Sequence, residues 1–173
     1  PDFKTPQHIM DAAKKAIDNG FTKYTPVSGI PSLKKAIIEK FKRDNNLEYG
    51  LNEVIVGVGG KQCVFNFCLA VLNSGDEVII PAPYWVSYAD IALVSDAKPI
   101  IVECGIEQKF KMTASPLEKV ITPKTKLVIL NSPSNPTGAV YSKEELTSLA
   151  DVLIKHPNIL IGTDDMYEHV KLK

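Results

Sequence analysis

Short apolar runs alternate with helical patterns along most of this chain, and this alternation constrains its fold more than any other feature. Each run is almost continuously apolar, whereas a strand with one face in water would alternate apolar and polar residues. The clearest runs are EVIIPA, PIIVEC, KLVILNSP and ILIGTDD, with helical patterns at residues 87–95, 117–121 and 142–155. We therefore predict an α/β fold: a three-layer α/β/α sandwich with a mostly parallel sheet covered on both faces.

The N-terminal part adds further helices and one predicted strand. Apolar residues recur at helical spacing over residues 5–19 and again over residues 30–41, with an irregular loop between them. The run EVIVGVGG, residues 53–60, is rich in β-branched side chains and ends in glycines, and an apolar helix follows it to residue 72. This pattern predicts a strand, a tight turn and a helix. Near the other end, Ser142 and Glu145 have the spacing of a capping box, which predicts where a long helix begins.

Charge and composition disfavour several kinds of partner. The chain has 20 basic and 20 acidic side chains and a pI near 7.3, so no basic field would draw it to nucleic acid or to anionic lipid. No apolar run reaches the roughly 18 residues of a membrane span, and the N-terminus lacks the pattern of a secretory signal. We expect a cytoplasmic protein without a nucleic-acid or membrane partner.

The cysteines and histidines show no ligand spacing. Cys63, Cys68 and Cys104 form no CxxC pair, so we predict reduced core residues rather than a disulfide framework or a zinc site. The three histidines lie far apart along the chain, and no metal site is expected.

Ligands of parallel α/β sheets bind beyond the carboxyl ends of the strands, so the loops that follow the strands are the places to search. These loops are GVGGKQ, PAPYW, NSPSNPTG and TDDMYEH. In GVGGKQ, unhindered N–H groups at a helix N-terminus could receive a phosphate. The dinucleotide fingerprint fails because Gln62 stands where glycine is required, and the P-loop pattern fails at Ile55 and Gln62. A tight turn that uses glycine for steric reasons remains the alternative.

Trp85 and Asn135 are the most distinctive side chains of these loops. The single tryptophan of the chain stands at a strand end, where an indole could stack on a planar heterocycle. A core or subunit-contact role would explain Trp85 as well. Asn135 lies in a loop between two prolines that hold its carboxamide, a donor and an acceptor, in one place. Turn chemistry alone would also explain this loop.

Two adjacent acids, Asp164 and Asp165, follow the last apolar run. Neighbours on an extended strand point to opposite sides, so only one of them is expected to face a site. A carboxylate opposite a heterocyclic nitrogen would keep that nitrogen protonated, which suits a cofactor that withdraws electrons. Tyr167 could add a phenol to the same site.

Five motifs together resemble the fold type I pyridoxal-phosphate enzymes, and most closely the bacterial aspartate aminotransferases. The motifs are YTPVSGIPSLKKAI, VGVGGKQCVFN, GDEVIIPAPYWVSY, NSPSNPTGAVYS and DDMYEH, in the order of that family and at similar separations. The resemblance covers essentially the whole chain. It implies pyridoxal 5′-phosphate as cofactor, an amino acid and a 2-oxo acid as substrates, and transfer of the amino group between L-aspartate and 2-oxoglutarate.

The resemblance also implies how the cofactor phosphate is held. Gly59, Gly60 and Lys61 would lie in the turn that receives the phosphate. Tyr24 would reach the phosphate bound by the neighbouring subunit, which implies a homodimer with shared active sites.

Four further residues would surround the cofactor ring, as the resemblance implies. Trp85 would stack on the pyridine ring, and Asp164 would pair with its protonated nitrogen. Asn135 and Tyr167 would hold the phenolic oxygen of the ring. Trp85 and Asn135 would also lie near the substrate.

In the family, the lysine that binds the cofactor lies in an SK motif, which is expected some tens of residues beyond Asp164. The chain ends at Lys173, and neither Lys171 nor Lys173 lies in such a motif, so no catalytic residue is assigned. We expect residues 1–173 to be a partial cofactor-binding large domain, inactive alone, without the N-terminal arm, the lysine region and the C-terminal small domain. Another fold type I enzyme, such as an aromatic or prephenate aminotransferase, and a non-catalytic α/β interaction module remain alternatives.

Overall fold

The computed structural model describes residues 3–170, which fall into two compact units. The first unit is Pro1–Gly57 and the second is Val58–Lys173. Lys171 and Lys173, for which the sequence provides no catalytic motif, lie outside the described residues.

The first unit contains two α-helices joined by a loop. Helix α1 spans Gln7–Asp18 and α2 spans Pro31–Lys40, close to the predicted residues 5–19 and 30–41. Proline suits the first position of α2 because an amide donor there would have no partner within the helix. A short π-helical turn, Phe41–Asn45, continues α2. Large apolar side chains of α1 and of the loop that follows it are exposed, namely Ile9, Ile17, Phe21, Tyr24 and Val27.

The strand predicted over residues 53–60 does not form. Leu51–Glu53 is a short 3₁₀ helix, and the residues after it have no ladder partner. Val54 is extended, but the N–H of Val56 donates to the carbonyl of Ser28, in a loop, at 3.1 Å. A β-branched run becomes a strand only beside another strand, and the described part of the first unit contains none. The prediction of a strand was wrong here.

The second unit is built on a parallel sheet of four strands. Strand β1 is Glu77–Ala82, β2 is Lys98–Glu103, β3 is Thr125–Asn131 and β4 is Leu160–Asp164, and each matches a predicted run. The order is β2-β1-β3-β4, and every neighbouring pair is parallel. The carboxyl ends of the strands therefore lie at one edge of the sheet.

Four helices cover the two faces of this sheet. Helix α3 is Gly60–Val71, α4 is Ser87–Val94, α5 is Ala114–Val120 and α6 is Lys143–Leu153. Val78 and Ile80 of β1 pack with α3 and α4 in one core, whereas Ile79 packs with α5 and α6 in the other. Successive side chains of a strand point to opposite faces, so one strand serves both cores. The predicted three-layer α/β/α sandwich is confirmed.

Burial on both faces explains the continuous apolar runs. Val78, Ile79 and Ile80 of β1 have 0% of their surface exposed, as have Leu127 and Val128 of β3. Complete burial of each such side chain contributes about 1.5–3 kcal/mol to folding. A polar residue at any of these positions would lose that contribution and would need a hydrogen-bond partner inside the core.

Two of the three cysteines lie in these cores. Cys68 and Cys104 are buried, as predicted, and burial raises the pKa of both thiols. Cys63 is exposed on α3, so the prediction of a core residue was wrong for this cysteine. Cys63 and Cys68 are five positions apart on a helix of about 3.6 residues per turn, and they therefore lie on different faces.

The predicted capping box is present at the start of α6. The Ser142 hydroxyl accepts the N–H of Glu145 at 3.2 Å, and the Glu145 carboxylate accepts the N–H of Ser142 at 2.7 Å. The same carboxylate accepts a hydrogen bond from the Lys111 ammonium at 2.6 Å, which lowers the pKa of Glu145. The box fixes the first turn of α6 because it satisfies N–H groups that the helix leaves unpaired.

Replacing Ser142 by alanine is expected to lower the free energy of unfolding by about 1 kcal/mol, because the first turn of α6 loses an acceptor. Ser148→Ala is the matched control. Its hydroxyl donates to the carbonyl of Glu144 at 3.0 Å in the middle of the same helix, and its loss should change stability by less than about 0.5 kcal/mol. Urea unfolding followed by tryptophan emission measures both variants. Equal losses would contradict the capping role.

Candidate functional site

The strand ends of the second unit meet around a cavity of about 180 Å³. Strand β1 leads to Trp85, β3 ends at Asn131 and β4 ends at Asp164, while the N-terminus of α3 completes the wall. Six of the eight residues proposed from the sequence line this cavity: Gly60, Lys61, Trp85, Asn135, Asp164 and Tyr167. Tertiary structure therefore brings together residues that are far apart along the chain.

The N-terminus of α3 forms one wall of the cavity. Gly59 precedes the helix with a φ of 89°, a positive value that glycine adopts without strain. Gln62, the residue that breaks the dinucleotide fingerprint, closes this turn by accepting the N–H of Val58 at 2.5 Å. The first N–H groups of a helix have no partner within it, and the helix dipole attracts anions to this end. Gly60 and Lys61 therefore offer N–H groups and an ammonium to an anionic ligand.

Trp85 forms a second wall. It lies in the turn between β1 and α4, and it is half-buried against the core that α3 and α4 share. Its ring meets that of Tyr88 edge to face, with centroids 5.4 Å apart and planes 86° apart. The Lys61 ammonium lies 5.1 Å from the centre of the indole ring. Tyr88 therefore supports the plane of the indole, and one indole face carries a cation.

Asp164 provides the carboxylate of the cavity. Its Oδ2 accepts the Tyr88 hydroxyl at 2.6 Å, and its Oδ1 accepts the N–H of Met166 at 3.2 Å. Asp165 is exposed and accepts the Thr163 hydroxyl at 3.1 Å. The two adjacent acids thus have separate surroundings, because consecutive side chains at a strand end point to opposite sides.

Asn131 ties two strand ends to the loop that carries Asn135. Its Nδ2 donates to the backbone carbonyl of Asp164 at 2.6 Å, and its Oδ1 accepts the N–H of Asn135 at 2.7 Å. One carboxamide therefore connects the ends of β3 and β4 with a residue proposed to bind the ligand. This connection fixes the distance between Asn135 and Asp164.

The loop after β3 is held by its own hydrogen bonds. The N–H of Ser134 donates to the carbonyl of Ala139 at 2.9 Å, and the N–H of Gly138 donates to the carbonyl of Ser134 at 2.8 Å. At the end of the loop, the Tyr141 hydroxyl accepts the N–H of Met112 at 2.8 Å. Burial raises the pKa of Tyr141 to about 12. The loop presents Asn135 on a fixed backbone.

Two uncharged polar side chains of the cavity form no hydrogen bond in the part of the chain that the structure describes. Within residues 3–170, no protein group forms a hydrogen bond with the carboxamide of Asn135 or with the hydroxyl of Tyr167. Both residues are half-buried, so their polar ends remain open to a ligand.

Tyr88 and Asn131 line the cavity as well, although neither was proposed from the sequence. A weak signal existed for each of them. Tyr88 stands three positions after Trp85, which places neighbouring residues on one face of a helix, and Asn131 is a polar residue at the end of an apolar strand. Neither signal identifies Asp164 as the partner, because Asp164 comes close to both residues only when the sheet has formed.

Tyr24 belongs to the first unit, on the loop between α1 and α2. Its side chain is fully exposed, with a relative accessibility of 107%. Its role toward a neighbouring subunit stays a prediction.

Among residues 3–170, no group of three or more His, Cys, Asp or Glu side chains is placed to hold a metal ion. In the same range, no helix combines the length and the apolar character needed to cross a membrane.

Known proteins resemble this chain over its full length. The sequence profile described as "Aminotransferase class I and II" matches residues 1–173. An aspartate/prephenate aminotransferase of Nitrosomonas europaea is 61% identical over 172 residues, which are 99% of this chain and 43% of that protein. The chain therefore spans less than half the length of this relative.

Solved structures of aminotransferases also resemble this chain over its full length. The crystal structure of the aspartate aminotransferase from Rhizobium meliloti superposes with a TM-score of 0.98 at 51% identity, over 100% of this chain and 43% of that one. The aromatic aminotransferase from Pyrococcus horikoshii superposes with a TM-score of 0.96 at 40% identity, over 100% of this chain and 46% of that one. The profile match, the sequence identity and the superposition together show that this chain belongs to the class I and II aminotransferase family.

Proposed function

We propose that the whole protein is a pyridoxal 5′-phosphate-dependent aminotransferase that transfers an amino group between L-aspartate and 2-oxoglutarate. The observation that carries this proposal is the cavity at the strand ends. There an indole, a carboxylate and a helix N-terminus surround one space, in a chain of the aminotransferase family. Each of these three groups matches one part of the cofactor.

The phosphate of the cofactor fits the N-terminus of α3. Gly59 and Gly60 have no side chains, so their N–H groups are accessible to phosphate oxygens. A Cβ at Gly60 would lie 3.0 Å from the terminal methyl carbon of Met166, so any side chain there would crowd the wall of the cavity. Lys61 adds a positive charge that pairs with phosphate.

The ring of the cofactor fits between Trp85 and Asp164. The indole offers a flat apolar face for stacking. Each oxygen of the Asp164 carboxylate has two lone pairs and accepts one hydrogen bond in the structure, so it can accept another from a protonated ring nitrogen. The open polar ends of Asn135 and Tyr167 match the phenolic oxygen of the ring.

When bound, pyridoxal phosphate supplies an electron-withdrawing ring that stabilises the charge left on an amino acid as its α-proton departs. Asp164 holds the proton on the ring nitrogen, because an adjacent carboxylate favours the protonated form. Trp85 fixes the ring plane and excludes water from one ring face. Asn135 and Tyr167 bind the phenolic oxygen, and Trp85 and Asn135 border the substrate.

Replacing Asp164 by asparagine is expected to weaken binding of pyridoxine 5′-phosphate by about tenfold, because a neutral amide does not hold the proton on the ring nitrogen. This probe has the ring and phosphate of the cofactor but no aldehyde, so surface lysines do not capture it. Trp85 is the single tryptophan of the chain, and its emission reports binding.

Asp165→Asn is the matched control for this experiment. It makes the same chemical change one residue away, on a side chain that is exposed and bonded to Thr163. We expect its affinity for the probe to stay within about twofold of the unsubstituted chain. Equal effects of the two substitutions would contradict the role of Asp164.

The identity of the substrate is proposed from the relatives. The Nitrosomonas protein is named for aspartate and prephenate, and the Rhizobium structure is an aspartate aminotransferase. The Pyrococcus structure is an aromatic aminotransferase, so an aromatic or prephenate aminotransferase is the second candidate. The match of residues 1–173 to the class I and II aminotransferase family disfavours a non-catalytic interaction module.

A panel of substrates separates these candidates. With the whole protein and 2-oxoglutarate as acceptor, we expect L-aspartate to give the highest kcat/KM among amino donors, measured from the 2-oxo acid released. A higher kcat/KM for L-phenylalanine, or for prephenate as acceptor, would favour the second candidate. Absence of transfer from every donor would contradict the proposed function.

We also infer a homodimer in which the subunits share active sites. Tyr24 is fully exposed, and Phe21 and Val27 on the same loop are exposed apolar residues of the kind that interfaces cover. In the dimer, Tyr24 reaches the phosphate bound by the partner subunit. Sedimentation equilibrium of the whole protein is expected to give twice the mass of one chain. A single-chain mass at every concentration would contradict the dimer.

A cytoplasmic location is part of the same proposal. Cys63, Cys68 and Cys104 are free thiols, and Cys63 is exposed. A reducing compartment preserves such thiols. The balanced charge of the chain offers no attraction to nucleic acid or to a membrane surface.

A further inference from the structure

Tyr88 connects the two groups that recognise the ring in the proposed function. It lies in the first turn of α4 and is 2% exposed. Its hydroxyl donates to Oδ2 of Asp164 at 2.6 Å, and its ring supports Trp85 edge to face at 5.4 Å. Its backbone N–H donates to the carbonyl of Trp85 at 3.0 Å. One side chain therefore contacts both the indole and the carboxylate.

The Tyr88 hydroxyl acts as a donor and not as a base. Burial raises the pKa of the phenol, and the hydrogen bond to Asp164 raises it further. The phenol therefore stays protonated near neutral pH. The Tyr88 hydroxyl therefore remains a hydrogen-bond donor to Asp164.

Two hydrogen bonds orient the Asp164 carboxylate, and the bond from Tyr88 is the stronger. At 2.6 Å it has the length of a short O–H···O⁻ bond, whereas the bond from the Met166 N–H is 3.2 Å long. Rotation of the carboxylate would break the shorter bond, whose donor, Tyr88, is buried and would lose its acceptor. Without Tyr88, only the longer bond restrains the side chain.

We propose that Tyr88 is a positioning residue for recognition of the ring nitrogen: its hydroxyl holds the Asp164 carboxylate where it accepts the N–H of the bound pyridine ring. This inference rests on the proposed function and assigns a second residue to the same contact. Phenylalanine would fill the same volume and support Trp85 in the same way. The hydroxyl, and not the ring, therefore carries the effect.

The Tyr88→Phe variant of the whole protein, freed of its cofactor, tests this inference with two probes. One is pyridoxine 5′-phosphate, and the other is its analogue with CH in place of the ring nitrogen. Isothermal titration calorimetry measures both dissociation constants. We expect Tyr88→Phe to weaken binding of pyridoxine 5′-phosphate by about tenfold and binding of the analogue by less than about twofold. The analogue has no nitrogen, so the orientation of Asp164 does not affect it.

Tyr84→Phe is the matched control. It removes a hydroxyl that makes no hydrogen bond within residues 3–170, and Tyr84 does not line the cofactor cavity. Both dissociation constants should stay within about twofold for this variant. Circular dichroism and the urea midpoint verify that Tyr88→Phe is folded.

A double substitution tests whether Tyr88 acts through Asp164. In an Asp164→Asn background, Tyr88→Phe should not change the dissociation constant of pyridoxine 5′-phosphate further, because the two residues act through one contact.

The two probes also separate this inference from the proposed function. If the unsubstituted chain prefers pyridoxine 5′-phosphate to the analogue and Tyr88→Phe retains that preference, the positioning role of Tyr88 is overturned and the proposed function stands. If the whole protein, freed of its cofactor, binds neither probe or binds both equally, the proposed role of Asp164 fails and that of Tyr88 fails with it.

Discussion

Parallel pairing of the strands is the constraint on which the candidate site depends. Because β1, β3 and β4 run in one direction, their carboxyl ends bring Trp85, Asn131 and Asp164 to the same edge of the sheet. An antiparallel neighbour would place its strand end at the opposite edge. The buried residues of β1 and β3 hold this arrangement, since each face of the sheet carries its own apolar core.

Strand ends leave backbone groups without a ladder partner, and in this protein side chains satisfy them. Asn131 pairs with the last carbonyl of β4, and the Asp164 carboxylate accepts the N–H of Met166. Within residues 3–170, no buried side-chain nitrogen or oxygen lacks a hydrogen-bond partner. The bonds that stabilise the edge of the sheet are therefore also the bonds that position the polar groups of the cavity.

Charge is distributed across the cavity in a way that suits a ligand with two different ends. The Lys61 ammonium and the start of α3 make one wall positive, while the Asp164 carboxylate makes another wall negative. Trp85 lines the same cavity and supplies a flat apolar surface. A phosphorylated heterocycle with a basic nitrogen complements all three features, which a simple anion or an apolar ligand would not do.

Much of the fold follows from local sequence. Continuous apolar runs predicted the four strands because each strand of this sheet is buried between two layers of helices, and Ser142 with Glu145 predicted the start of α6 because a capping box is a contact between near neighbours. The strand predicted at residues 53–60 did not form because a strand also needs a partner strand. The prediction that Cys63 is a core residue was wrong because its position on α3 faces outward.

The residues of the candidate site also fall into two groups: those that the sequence predicted and those that it did not. Trp85, Asn135 and Asp164 were recognisable because their types and their places after strands suggest binding chemistry. Tyr88 and Asn131 were not, because the hydrogen bonds that connect them with Asp164 span 76 and 33 positions of the chain, and only the packed sheet creates those bonds. The amino-acid pattern thus sets which segments become strands and helices, since that choice depends on neighbours along the chain. The assembled sheet sets which polar groups meet, since hydrogen bonds depend on distances in space.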